Sequence, residues 1–297
     1  MIGEAPGALR FVASAAGALP WSDLPVFGRA LGAFVGDVLR VRRAHVEAAM
    51  TAAGIPQPEV EAAAMYRGLG TSFAELLWLG GPVRDLTEVV EIEPGTRATW
   101  REHAARGRGL VVAASHTGNW DLAAVATARL LDPLTVITKR LSLGAVDALW
   151  QWTRRRYGVT LVPAAGALRS AQGVVEGGGA VAMMIDQVPA TRAHASVCTF
   201  LGQQAWVDRA PAVLAARTGA SLLVTAAERI EGGRQRLSIL HAEVPPPDAG
   251  LAWATEATGR ATEALDRFVR RRPSEWLWMH RRWKDPGRPL PTPRSLR

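Results

Sequence analysis

The sequence predicts an α/β protein: a mixed or mostly parallel central sheet flanked by helices and preceded by a helical segment. Short apolar runs bounded by turn residues, such as LVVAA at 110–114 and AVAMMI at 180–185, have the length of buried strands. Stretches with the 3.6-residue spacing of helices lie between them. The two kinds alternate along most of the chain, which is the pattern of β-α-β units. With 297 residues, 48% of them hydrophobic, there is ample material for a large core.

Residues 21–80 read as helical. Within Leu24 to Arg43, the residues Val26, Phe27, Ala30, Leu31, Phe34, Val35, Val38 and Leu39 fall on one side, and Arg40, Arg42 and Arg43 close the stretch. An apolar helix with a basic end suits either an anionic bilayer surface or a core-packed helix with cations at its carboxyl end. Gly54, Pro56 and Pro58 interrupt before helical spacing resumes over Val60 to Leu79, where Phe73, Leu77 and Trp78 look exposed enough to line a groove. A strand is predicted over 89–93 and a helix opening at Pro94. After the central stretch described below come a strand at 134–138, a helix over 147–157 ended by Gly158, a strand at 159–162 and a helix over 166–176. Glycines 177–179 precede a strand at 180–185 rather than a helix, so they make a turn and not a phosphate cradle. A short strand at 197–201, a helix over 207–218, strands at 221–226 and 235–240, and a last helix over 251–272 complete the pattern. The chain divides near residue 88 into an N-terminal helical, membrane-facing segment (1–88) and an α/β core (89–297), within one continuous domain.

Charge is unevenly placed. The net charge is +8, and between Arg267 and Arg297 ten basic residues face only Glu275 and Asp285, so that tail alone matches the whole. Such a patch attracts polyanions: anionic lipid headgroups, an acidic carrier protein or nucleic acid. One cysteine, Cys198, excludes an internal disulfide and a cysteine-only metal site. No apolar run reaches 18 residues, so no spanning helix is predicted. The first 21 residues lack the ordered regions of a signal peptide.

Chemistry concentrates in LVVAASHTGNWDL, residues 110–122. A buried strand ends at His116, Thr117 to Asn119 break it, and a helix begins with Asp121 in its first turn. Residues five apart do not meet on one helix, but they can across a strand-to-helix turn. Asp121 is therefore expected to hold one nitrogen of His116 while the other accepts a proton from a hydroxyl. The spacing recurs at His280 and Asp285, in a basic aromatic segment without that context, so His280 is read there as structural or as an interfacial donor.

Three stretches carry a likeness. SHTGNWDLA resembles a His-x4-Asp motif, RRRYGVTLVPAAGALR with MMIDQ resembles a central Arg-rich and Asp-Gln region, and SEWLWMHRRWK resembles an aromatic closing segment. Together, over residues 20–288, they are similar to the bacterial lipid A biosynthesis (lauroyl and myristoyl) acyltransferases, a branch of the lysophospholipid acyltransferase superfamily. The resemblance implies a glycerolipid acyltransferase-like fold, and transfer of a fatty acyl chain from an acyl carrier protein or coenzyme A thioester to a glycolipid hydroxyl. No cofactor or metal is expected beyond that donor. It implies a peripheral location on the cytoplasmic face of the inner membrane, although many relatives begin with a hydrophobic anchor and this chain has only the amphipathic stretch. In that chemistry His116 is the base and Asp121 its partner. Amides near Gly118 and Asn119, or an Arg, would stabilise the oxyanion. Arg154, Arg156 and Arg169 would bind acceptor phosphates. Asp186 would bond sugar hydroxyls or support His116, with Gln187 beside it. Trp276, Trp278, Arg281, Arg282, Trp283 and Lys284 would contact membrane or carrier.

Other acceptors, phosphatidylinositol mannosides among them, suit the same catalytic pair. A nucleic-acid-binding protein using the Trp-bearing tail is the alternative of a different class. It leaves the strand-end histidine without a task, so no nucleic-acid partner is expected. A metal hydrolase lacks paired ligands at a suitable spacing.

Overall fold

The computed structural model describes residues 7–139, 144–189 and 195–283. Four helices come first: α1 (Gly7–Gly17), α2 (Leu24–Ala33), α3 (Arg43–Ala52) and α4 (Pro58–Leu79). The core follows as β1 (Val90–Ile92), α5 (Pro94–Ala104), β2 (Leu110–Ala114), α6 (Trp120–Leu130), β3 (Leu134–Thr138), α7 (Gly144–Arg156), β4 (Thr160–Pro163), α8 (Ala167–Glu176) and β5 (Ala180–Met184). It ends with β6 (Ala195–Phe200), β7 (Gln203–Asp208), α9 (Ala210–Thr218), β8 (Ser221–Arg229), β9 (Gln235–Glu243) and α10 (Leu251–Arg271).

Seven strands form one sheet in the order β1-β9-β8-β2-β5-β3-β4. Every neighbouring pair is parallel except β8 with β9, so the sheet is mostly parallel, with β1 and β9 reversed. Along β2, Val111 and Ala113 enter the core under α9 and α10, while Leu110 and Val112 enter the core that α6 covers. The strand is thus buried on both faces, which explains an unbroken apolar run in place of alternation. The register sets Ala114 opposite Met184 and Leu134 opposite Ala180, which brings the carboxyl ends of β2, β5 and β3 to one edge. Residues just beyond that edge are placed to meet a ligand.

Two expectations change. A strand, β7, lies where the predicted helix over 207–218 would begin, and α9 starts only at Ala210. It pairs with β6 through the two-residue turn Leu201-Gly202, both at positive φ, a hairpin turn that lacks the usual Asn-Gly signature. The stretch Leu24 to Arg43 is not one helix. α2 runs into a single π-type turn at Phe34–Val38, and Arg40 and Arg42 adopt left-handed backbone before α3 begins.

The apolar side of α2 faces outward: Val26, Phe27 and Val38 are 68, 59 and 67% exposed. Past Leu24 and Pro25, its buried side is Gly28 and Gly32. A Cβ at Gly28 would lie 2.3 Å from Thr71 Cα, one at Gly32 2.1 Å from Tyr66 O, and one at Gly70 on α4 2.2 Å from Gly28 O. The two backbones touch because no side chain separates them. Of the groove predicted along α4, Phe73 is exposed but Trp78 is buried.

Gly32→Ala decides between two effects of opposite sign. Helix propensity alone would stabilise by about 1 kcal/mol. The backbone clash costs about 1–3 kcal/mol, so net loss of stability in urea unfolding is expected.

Candidate active site

His116 stands two residues beyond β2 and Asp186 two beyond β5, side by side on the sheet edge. Asp186 is fully buried and accepts three hydrogen bonds: from the backbone N–H of His116 at 2.7 Å, from its Nδ1 at 2.8 Å and from Trp276 Nε1 at 2.9 Å. Burial pushes the carboxyl pKa up, but the facing His116 charge and these donors outweigh it and hold the group well below the usual carboxylate range. An ionised Asp186 requires the proton of a neutral His116 to sit on Nδ1, leaving a lone pair on Nε2.

The loop after His116 is braced from both sides. Thr117 Oγ1 accepts from Ala227 N at 3.0 Å, and Gly118 takes a positive φ where a Cβ would come 2.7 Å from Ala227 O. The segment at 275–277 lies along it, with Gly118 N donating to Glu275 O at 2.8 Å and Leu277 N to His116 O at 3.0 Å. That pairing delivers Trp276 to Asp186 and His280 to the site. The rings of His116 and His280 meet edge to face at 5.1 Å, and Gln187 Nε2 lies 3.3 Å from the Nε2 atom of each. Burial first, then the charge of His116, push the His280 pKa down to about 4.

A second ring, Trp120, meets His116 at 5.1 Å and also lines an apolar cavity between α6 and the sheet. The cavity is narrow, with about 50 Å³ open to a water-sized sphere, and it widens towards solvent. Small side chains make the space: Ala114, Ala123, Ala124, Ala182 and Ala227 line it, with Leu134 and Leu237 also in the wall.

A His-carboxylate pair thus stands against a ring that lines an apolar cavity. The sequence model of the bacterial lipid A biosynthesis acyltransferases matches residues 15–285, nearly the whole chain. The chain belongs to that family. It is accordingly an O-acyltransferase, and its family acts in lipid A biosynthesis. No curated protein gives a significant match.

The acyltransferase motifs are not wired as their spacing suggested. Asp121 does not hold His116. It accepts from Arg154 Nε at 2.7 Å and from Trp150 Nε1 at 2.5 Å, facing α7 from the first turn of α6. The acid on the imidazole is Asp186, the second of the two roles the sequence left open for it. Asn119 is buried as the cap of α6, accepting from Asp121 N and Leu122 N and donating to Glu75 at 2.8 Å. A side chain so occupied is not free for substrate.

Nor do the three phosphate candidates form a site. Arg154 is spent on Asp121, and Arg156 Nη1 donates to the carbonyls of Gly80 and Gly81 at 2.8 and 2.6 Å, while Arg169 is exposed on α8. The aromatic segment is also corrected. Trp276, Trp278 and Arg282 are among the largest fully buried side chains, so they touch neither membrane nor carrier and cannot stack on bases. Trp283 is half-buried with its Nε1 on Phe200 O at 3.2 Å, and Arg281 is exposed; Lys284 lies outside the described residues. Trp276 and His280, read from the sequence as a membrane or carrier contact and as a structural or interfacial group, instead border the His116 ring and its acid. The spacing of Trp276 and Trp278 two apart, the period of an extended buried segment, was the available signal.

Among the described residues no group of three or more His, Cys, Asp or Glu is placed to hold a metal. None of their helices is long and apolar enough to cross a membrane.

Asp186→Asn should lower kcat by about 10²- to 10⁴-fold, the usual worth of an oriented base. Its stability effect has a definite sign with pH. The folded-state pKa lies below the unfolded value of about 3.9, so the wild-type carboxylate stabilises above that pH and loses this contribution as pH falls below it. Urea unfolding at pH 7 and pH 3 should therefore show the gap between wild type and Asp186→Asn narrowing at the lower pH.

Proposed function

We propose that this acyltransferase moves a fatty acyl chain from an acyl carrier protein or coenzyme A thioester to a hydroxyl of a glycolipid of the lipid A precursor type, with His116 as general base. The observation that carries the reading is the contact of Trp120 with both the His116 ring and the apolar cavity, which sets the base beside an apolar, uncharged opening of the kind a hydrocarbon tail would enter. Alanine and threonine walls are uncharged, as a saturated tail requires.

The steps follow from the proton placement. His116 Nε2 takes the proton of the acceptor hydroxyl as its oxygen attacks the thioester carbonyl carbon. The buried Asp186 carboxylate stabilises the resulting imidazolium and fixes its tautomer. The tetrahedral intermediate collapses with cleavage of the C–S bond, and the departing thiolate takes the proton from His116. Ester and free thiol are the products. No further cofactor takes part.

Attachment to the cytoplasmic face of the inner membrane is assigned to α2 and the turn after it. Their outward side presents Val26, Phe27, Leu31, Phe34, Val38 and Leu39, with Arg29, Arg40 and Arg42 also exposed. Exposed apolar side chains with cations among them suit an anionic bilayer. Arg42 Nη1 donates to Met279 O at 2.8 Å, the residue before His280, so a bilayer under this face lies beside the site. The charge also suits an acidic carrier.

Pure protein incubated with labelled acyl donors and total lipid extract, with products identified by mass spectrometry, tests the reaction. His116→Ala should abolish transfer in a folded protein; full activity would overturn the base assignment. Ala123→Phe, which fills the cavity, should slow long-chain donors far more than short ones. Phe27→Asp with Phe34→Asp should weaken sedimentation with anionic vesicles by about tenfold or more, since each removes an apolar anchor worth about 1.5–3 kcal/mol when fully buried.

A further inference from the structure

Acyl transfer through a tetrahedral intermediate needs a donor for the developing oxyanion, and the donors the sequence offered are engaged. Gly118 N–H is on Glu275 O at 2.8 Å, Asn119 N–H on Gln235 Oε1 at 3.2 Å and His116 N–H on Asp186 at 2.7 Å. The Arg154 guanidinium is held by Asp121. The side-chain amide of Gln187, one residue past Asp186, lies directly beside the base.

Its orientation follows from the proton on His116. In the neutral form a general base needs, Nδ1 of His116 donates to ionised Asp186 and Nε2 carries a lone pair, so the Gln187 atom 3.3 Å away is the NH2 nitrogen and not the oxygen. The same nitrogen lies 3.3 Å from His280 Nε2. One amide group thus bridges two imidazole lone pairs with its two N–H bonds.

We propose that Gln187 is the oxyanion donor of the reaction and that His280 is a positioning residue that aims it, an assignment that rests on the acyltransfer reading above. The acceptor hydroxyl must use the His116 lone pair that Gln187 now occupies. Its arrival releases one N–H while the other stays on His280. The released N–H remains beside the attacking oxygen, where the carbonyl oxygen of the attacked thioester takes up the electron pair of its broken π bond. Collapse of that oxyanion re-forms the carbonyl and expels the thiolate, and Gln187 ends as it began. For His280 to accept it must stay neutral, and its burial beside His116, which keeps its pKa near 4, meets that need.

Steady-state kinetics on the full chain test this. Gln187→Leu, similar in size and without donors, should lower kcat by about 10²- to 10³-fold, the usual loss for one oxyanion donor. KM for acceptor and donor should stay within about threefold, and the low-field proton signal of His116 Nδ1–H on Asp186 should persist, which reports an intact dyad. His280→Ala should lower kcat by a smaller factor, His280→Gln, which restores an acceptor, should recover part of it, and the double variant with Gln187→Leu should be no slower than Gln187→Leu alone. Gln187→Leu with kcat within threefold of wild type, a loss confined to KM, or multiplicative effects in the double variant would each overturn the assignment. If His116→Ala remains active, the base reading and this inference fall together. If His116→Ala is dead while Gln187→Leu runs at full rate, only this inference falls.

Discussion

A single buried carboxylate organises the site. Taking an ion out of water costs several kcal/mol unless its lone pairs are met, and Asp186, 1% exposed, is met by a backbone amide, an imidazole and an indole. The acid and its donors come from three separate parts of the chain: Asp186 from the end of β5, the amide and imidazole of His116 from the end of β2, and the indole from the segment after α10. The parallel pairing of β2 with β5 brings the first two together, and the extended pairing of 275–277 along the loop brings the third. The geometry that satisfies the charge is the same geometry that fixes the tautomer of His116 and leaves its outer nitrogen basic.

The other acid of the His-x4-Asp motif works at a distance from the ring. Asp121 joins α6 to Arg154 and Trp150 on α7 through a largely buried ion pair. Since α6 forms one wall of the apolar cavity, holding it against α7 sets the position of that wall relative to the sheet. Asn119 completes the brace from the other side, where its amide meets Glu75 of α4, which also pairs with Arg229. The motif residues therefore support the cavity and the base as one unit.

The sequence made the sheet legible because buried parallel strands are short apolar runs, and those at 110–114, 134–138 and 180–184 stand out against Ala-rich helices. It also placed His116 and Asp186 at strand ends. It did not show which acid faces the ring, because that depends on strand order, and β5 neighbours β2 although 65 residues and three helices intervene. Nor did it show that Trp276 and Arg282 are interior: aromatic residues interleaved with cations look alike on a membrane surface and in a core where each polar tip finds a partner. α2 deceived in the opposite sense. After the buried Leu24 its large apolar residues point outward and its glycines inward, the inverse of the usual amphipathic rule, because close backbone contact with α4 takes the place of side-chain packing.

The separation of Asp186 from its indole partner by 90 residues bears on how the protein is made. During synthesis His116 and Asp186 leave the ribosome well before Trp276 and His280 exist. A nascent chain at that stage holds an imidazole-carboxylate pair with one lone pair unanswered and an amide with nothing to steady it. Competence for chemistry thus arrives in a late closing step, when the segment after α10 lays itself along the catalytic loop.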